Sequence, residues 1–210
     1  MQGKIYLLLH AIYGLSGHLF AAACNVIWTI RDNINPPKEN AVLFVAHPDD
    51  DILFFDTFIS DYKPYVVCLT LGGNLQRILP FCRAMKNYAV RYRFFDMNPR
   101  DVSKTDLLTG RIKSVISKGN FTICATHNDS GEYGHIMHRC VNECVQSVWS
   151  GELLTPVNLV DIEKYPLQQE TANKKKRLLK KYYAKEYPTL AKHNEWIVCE
   201  KLVYDTINMT

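Results

Sequence analysis

The chain has no CxxC pair: its seven cysteines (24, 68, 82, 124, 140, 144 and 199) are scattered and odd in number. That argues against a structural zinc knuckle and reads as reduced thiols, at home in the cytosol. Neither sign of charge dominates. The formal net charge of +4 is too mild for the footprint of a nucleic-acid binder, so no nucleic acid is expected as a partner. There is no internal repeat and no low-complexity tract. Charge is missing locally too, because residues 5–30 contain no Asp, Glu, Lys or Arg. As a helix this stretch would span roughly 39 Å, enough to cross a ~30 Å hydrocarbon layer with tilt. His10, Ser16, His18 and Asn25 dilute its apolarity. Three readings follow: a membrane anchor, the preferred one; a cleaved leader, with Ala21-Ala22-Ala23 before Cys24; or a helix packed on the domain.

What is present is organised around residues 41–55, AVLFVAHPDDDILFF. Six apolar residues run into His47-Pro48-Asp49-Asp50-Asp51, and an apolar run resumes at Ile52. A short continuous apolar run reads as a strand buried on both faces. In an open parallel sheet, chemistry collects beyond the carboxyl ends of such strands. Three adjacent carboxylates repel one another, and a bound cation is the economical reason to place them there.

The chain divides into an apolar helix (1–32), a linker (33–40, with two prolines) and a domain (41–210). Within the domain, strands are expected at 65–71, 91–95, 121–126, 153–162 and 196–203. Helices are expected at 75–90, 103–118, 135–149 and 171–187, the last basic and read as a solvated amphipathic face. Strands alternating with helices predict an α/β fold, a doubly wound, mostly parallel, Rossmann-like three-layer sheet, preceded by the N-terminal apolar helix.

A second polar cluster, HNDSGEYGHIMH (127–138), follows the strand ending at Thr126 and so falls on the same sheet edge. His135 and His138 are three apart, as are His47 and Asp50. Together the clusters offer two imidazoles and a carboxylate to one ion, with positions left open, as in catalytic zinc or non-haem iron sites. Such an ion lowers the pKa of a bound water to about 7. A free carboxylate is then wanted as base and a spare imidazole as acid, and Asp49 and His135 are left in those places. Tyr133, beside His135, is placed to stack on a sugar ring or to bond an oxyanion. Sequons occur at Asn120, Asn128 and Asn208, and a glycan on Asn128 would stand in the site, which favours a domain facing the cytosol.

AHPDDD followed by GEYGHIMH resembles the LmbE-like, or PIG-L, de-N-acetylases, whose pattern is AHPDD with a later GxxxH or HxxH segment; the likeness covers roughly residues 41–200. The resemblance implies zinc, or ferrous iron, on His47, Asp50 and His138. It implies Asp49 as the base that deprotonates water, and His135 as the group that assists the oxyanion and protonates the leaving amine. The substrate implied is an N-acetylglucosaminyl conjugate, a small molecule or a glycolipid such as N-acetylglucosaminyl-phosphatidylinositol. The enzyme would be membrane-associated, with the catalytic domain in the cytosol, or soluble and cytoplasmic. Another acetylated amino sugar, or a non-catalytic binding subunit, are the alternatives. The chain departs from the pattern in two places. Asp51 stands where a Glu is usual, and in the RxxE segment Arg77 supplies the arginine, for a phosphate or sugar oxygen, while Pro80 takes the place of the Glu.

Overall fold

The computed structural model describes residues 2–205, with side chains from residue 15 onward; Asn208 lies outside the described residues. In chain order the elements are α1 (Gln2–Ile34), β1 (Ala41–Val45), α2 (Asp50–Tyr62), β2 (Tyr65–Thr70), α3 (Leu75–Tyr88), β3 (Tyr92–Met97) and α4 (Thr105–Ile116). They continue with β4 (Ile123–Ala125), α5 (Ile136–Gln146), β5 (Glu152–Pro156), α6 (Leu159–Ile162), α7 (Gln169–Tyr182), α8 (Tyr187–Leu190), α9 (Asn194–Val198) and β6 (Leu202–Asp205).

Every residue of β1 is buried, as a strand covered on both faces requires. Leu43 and Val45 face a core shared with α2, α3, α7 and α9, while Val42 and Phe44 face a second core shared with α4 and α5. The sheet order is β3-β2-β1-β4-β5-β6, with every pair parallel except β5–β6. This is the doubly wound α/β three-layer fold. The order reverses between β1 and β4, and at such a switch point the loops leaving the two strands splay apart and open a crevice. The AHPDDD loop leaves β1 and the HNDSGEYGHIMH loop follows β4, so both polar clusters open onto it.

Two strand expectations are corrected. Residues 153–162 form β5 and then the short helix α6, because Pro156 ends the ladder. Residues 196–203 begin inside α9, where consecutive Trp196 and Ile197 are both buried, a pattern that a half-buried strand cannot supply. Trp196 packs edge-on to Phe54 of α2 at 5.1 Å. The basic helix ends at Tyr182 rather than at residue 187, and one of its lysines, Lys175, is buried against Glu200 at 2.8 Å.

Among the described residues no helix is long and apolar enough to cross a membrane. Instead α1 covers the β3 edge, a position that shields a strand from stray pairing. Trp28 packs edge-on to Phe94 (4.5 Å) and Tyr92 (5.9 Å). Buried Asp32 takes the Tyr65 hydroxyl (2.7 Å) and the Arg91 guanidinium (3.1 Å). Gly17 lies so close to the Gly73 carbonyl that any Cβ there would collide with it. On the opposite side of α1, Leu15, Leu19, Val26, Ile27, Ile30 and Ile34 are exposed.

Candidate metal centre

Asp49 starts α2 as its N-cap, with its carbonyl accepting from the Ile52 and Leu53 amides. Its φ of 101° is costly for a residue with a Cβ, of the order of 1–3 kcal/mol. An N-cap aspartate ordinarily spends its carboxylate on the first-turn amides. Here it makes no such bond and meets Arg77 Nη2 instead, at 3.5 Å. Arg77 also donates to the Pro48 carbonyl at 3.0 Å. The helix start is secured in reverse, since Asp51 Oδ1 accepts the Asp49 amide (2.9 Å) and both Asp51 oxygens accept the Tyr183 hydroxyl (2.8 and 3.0 Å).

The second loop holds itself. Glu132 Oε1 accepts the Asn128 amide at 3.0 Å, and Asn128 Oδ1 accepts the Glu132 amide at 2.8 Å. Glu132 Oε2 then faces Nδ1 of both His138 (2.6 Å) and His127 (3.2 Å). Gly131 (φ 71°) and Gly134 (φ 92°) supply the left-handed turns that fold this loop back on itself. His135 caps α5, with its Nδ1 accepting the Met137 amide at 3.3 Å. Its proton therefore sits on Nε2 and is available to donate.

The two loops meet. His47 Nδ1 lies 3.2 Å from His138 Nε2 and 3.3 Å from Asp50 Oδ2, and His138 Nε2 lies 3.4 Å from the same oxygen. Donors about 2 Å from a tetrahedral ion are spaced about 3.3 Å apart, so this trio has the dimensions of three corners of such a site, with the fourth open. Two other trios lie within sharing distance: His47, His135 and His138, and Asp50, His127 and His138. Each contains an imidazole nitrogen committed elsewhere. His135 Nδ1 takes the Met137 amide, and His127 Nε2 accepts the Ala46 amide at 2.9 Å. His47, Asp50 and His138 are the set that remains: Asp50 Oδ2 also accepts the His47 amide at 2.7 Å, but a carboxylate oxygen, unlike an imidazole nitrogen, keeps a second lone pair. Glu132 orients His138 through its other ring nitrogen, a carboxylate–histidine relay common behind metal ligands.

The electrostatics follow from burial. Burial pushes Asp50 up, but His138, His127 and His47 outweigh it and hold the carboxyl well below its usual range. Burial likewise raises Glu132, yet His127 and His138 bring it below its usual range. Burial lowers His127 while Glu132 and Asp50 pull it up to about 9. The Ala46 amide can only donate, however, so we assign His127 as neutral with its proton on Nδ1. Burial, reinforced by His138 and His47, lowers His135 to about 4. Burial and the neighbouring Asp50 lift Asp49 well above its ordinary value, against the pull of Arg77.

Of the residues singled out from sequence, His47, Asp49, Asp50, His135 and His138 all converge on the crevice. Arg77 sits beside them and lines a cavity of about 570 Å³ with Asn74, Asn98, Arg100 and Lys104. The acidic partner that Pro80 cannot supply approaches from elsewhere, with Glu186 Oε1 3.8 Å from Arg77 Nε. Tyr133 forms a wall of the site, but its ring is already stacked on His193 at 4.4 Å, so that face is closed to a sugar. Asn128 is buried and donates from Nδ2 to the Pro156 carbonyl at 3.0 Å, which leaves no amide free for a glycan in the folded protein. His127, Glu132, Tyr183 and Glu186 were missed from sequence. A signal existed for the first two, which lie inside the second cluster; none existed for Tyr183 and Glu186.

The fold and site define an α/β protein with a buried His/Asp group at the sheet's switch point, one that can hold a metal ion. Among solved structures the chain is similar to Dbv21, an antimicrobial-reagent pseudoaglycone deacetylase, with a TM-score of 0.55 and 14% identity over 76% of this chain and 87% of that one. That likeness shows a shared fold. It is also similar to the 4-carboxy-2-hydroxymuconate hydratase GalB of Pseudomonas putida, with a TM-score of 0.49 and 16% identity over 74% of this chain and 88% of that one. Among curated proteins it is similar to an uncharacterised protein of Acanthamoeba polyphaga mimivirus, 21% identical over 138 residues. That match covers 56% of this chain and 61% of the viral protein, under two thirds of its length. No protein-family model matches the chain.

Proposed function

We propose that this protein is a metal-dependent hydrolase that removes the acetyl group from an N-acetylglucosaminyl conjugate, with zinc or ferrous iron held by His47, Asp50 and His138. The observation that carries the reading is the trio of donors 3.2–3.4 Å apart with Asp49 at its side. A second support is the shared fold with Dbv21, itself described as a deacetylase. An ion in this place supplies a Lewis acid for a carbonyl oxygen and makes a bound water acidic near neutral pH.

The chain's own residues would do the rest. Asp49, whose carboxylate makes no capping bond and faces Arg77 beside the trio, takes the proton of the attacking water on a carboxylate oxygen. His135, neutral at pH 7, donates its Nε2 proton as a hydrogen bond to the acetyl oxygen as that atom gains charge. A ring held at about 4 is a poor reservoir for the proton that the leaving amine needs. We therefore assign that delivery to Asp49, which returns the proton it took, so that water and amide become acetate and free amine. Arg77 steadies Asp49 and faces the cavity where the rest of the conjugate would lie.

If the carrier is a lipid, its surface would meet the exposed outer side of α1 (Leu15, Leu19, Val26, Ile27, Ile30, Ile34). The seven unpaired thiols support a cytosolic setting. The test is acetate release across a panel of N-acetylglucosamine conjugates, lipid-linked and soluble. The reading expects release of acetate and amine in equal amounts, abolished by chelation and restored by zinc or ferrous iron. No release from any conjugate by metal-loaded protein contradicts it. Flotation with anionic vesicles checks the lipid contact, which Leu19→Glu should weaken.

A further inference from the structure

We propose that Tyr183, acting through Asp51, is a positioning residue that holds Asp49 in its left-handed turn and so aims the Asp49 carboxylate at the site. This rests on the hydrolase reading, in which Asp49 moves the proton.

Three observations combine. Asp49 has a φ of 101° although it carries a side chain, so something outside its own preference must hold it. It occupies the N-cap of α2 yet makes no side-chain capping bond, which leaves its carboxylate free to face Arg77. The bond that an N-cap normally needs in return comes from Asp51, whose Oδ1 accepts the Asp49 amide at 2.9 Å. This is the returning half of a capping box, made one residue early by a side chain one methylene shorter than Glu.

Asp51 alone would not be fixed. It is fully buried and flanked by two carboxylates, and no cation is paired with it among the described residues. Tyr183 meets that need. Its hydroxyl, buried at the end of α7, lies 2.8 and 3.0 Å from the two Asp51 oxygens and pins the carboxylate in one orientation. Among the described residues the Tyr183 hydroxyl hydrogen-bonds to Asp51 and to no member of the metal trio, so it acts through Asp51. The helix packing that places α7 against α2 thereby reaches the catalytic base.

The test compares Tyr183→Phe, Asp51→Ala and Asp51→Asn in metal-loaded full-length protein. Tyr183→Phe should lower kcat about tenfold with KM within about twofold and metal content unchanged. Asp51→Ala should cost about a hundredfold, and Asp51→Asn should recover most of that loss, since an amide oxygen still accepts the Asp49 amide. In an Asp49→Ala background, Tyr183→Phe should change the residual rate no further, whereas a merely structural role would lower both backgrounds alike. Hydrogen exchange supplies a readout independent of activity: the residue 49 amide should exchange about tenfold faster in Tyr183→Phe while the Leu53 amide is unchanged. A Tyr183→Phe protein with wild-type kcat and wild-type exchange at residue 49 overturns the proposal. If wild type releases no acetate at all, it is the hydrolase reading that fails, and the exchange comparison alone decides the positioning claim.

Discussion

The loops after β1 and β4 face each other across the switch point, but they are built in opposite ways. The first is held from outside: Arg77 of α3 grips Asp49 and Pro48, and Tyr183, 132 residues away in sequence, pins Asp51. The second is held from within, by a single carboxylate, Glu132, that ties Asn128, His127 and His138 together. The first loop carries the strained backbone and the crowded acids, which can stay in place only with distant support. The second carries His127, His135 and His138, and one acid within reach orients two of them. The proposed ion takes donors from both loops, His47 and Asp50 from the first and His138 from the second, whereas the proposed base comes from the first alone.

That contrast can be broken in four places. Asp49→Ala should leave metal content unchanged and lower turnover by about 10²–10⁴-fold, read by acetate release beside metal analysis. Loss of metal in that variant would erase the distinction between the loops. Glu132→Gln should do the converse, weakening metal affinity about ten- to a hundredfold by calorimetric titration, because His138 loses the acid that orients it.

The pH dependence of the metal-free protein should also split between the loops. Glu132, held below its ordinary 4.5 when folded, contributes stability above about pH 4.5 that is lost as pH falls through its lowered folded value. Asp51 has the opposite sign. Burial raises it to about 7, so the folded protein keeps a proton that the unfolded chain releases, and stability falls as pH rises from about 4 to 7. Denaturant melts should show the acid arm flattened in Glu132→Gln and the upper arm flattened in Asp51→Asn; unchanged arms would contradict the assignments. The smallest effect is expected from Arg77→Ala, a rise in KM of about tenfold, the scale of one charge-assisted hydrogen bond. An unaltered KM would confine Arg77 to holding Asp49.

The same contrast explains what the sequence made legible. Buried parallel strands announce themselves as continuous apolar runs, and a polar cluster at the end of such a run marks the crevice, which is why AHPDDD and GEYGHIMH stand out in the sequence. Glu132 lay in plain view inside the second cluster, but it reads as one more loop acid until the fold turns His138 back on it. Tyr183 and Glu186 were illegible for a different reason. They sit beyond a basic helix whose pattern reports its inner face and its solvated face but not which distant loop its end touches. The helix at residues 5–30 was ambiguous through a related gap. Absence of charge is shared by a membrane span and by a helix that packs one face on a strand edge, and the packing of its C-terminal half shows only in the Trp28 and Asp32 contacts.

The central claim is that one ion is shared between the two loops. Metal stoichiometry on four purified proteins tests it most directly: wild type, His47→Ala, His138→Ala and Asp49→Ala. One tightly bound ion per chain is expected in wild type and in Asp49→Ala, and none in either histidine variant. Stoichiometric metal surviving in His138→Ala, or absent from wild type after metal loading, would contradict it.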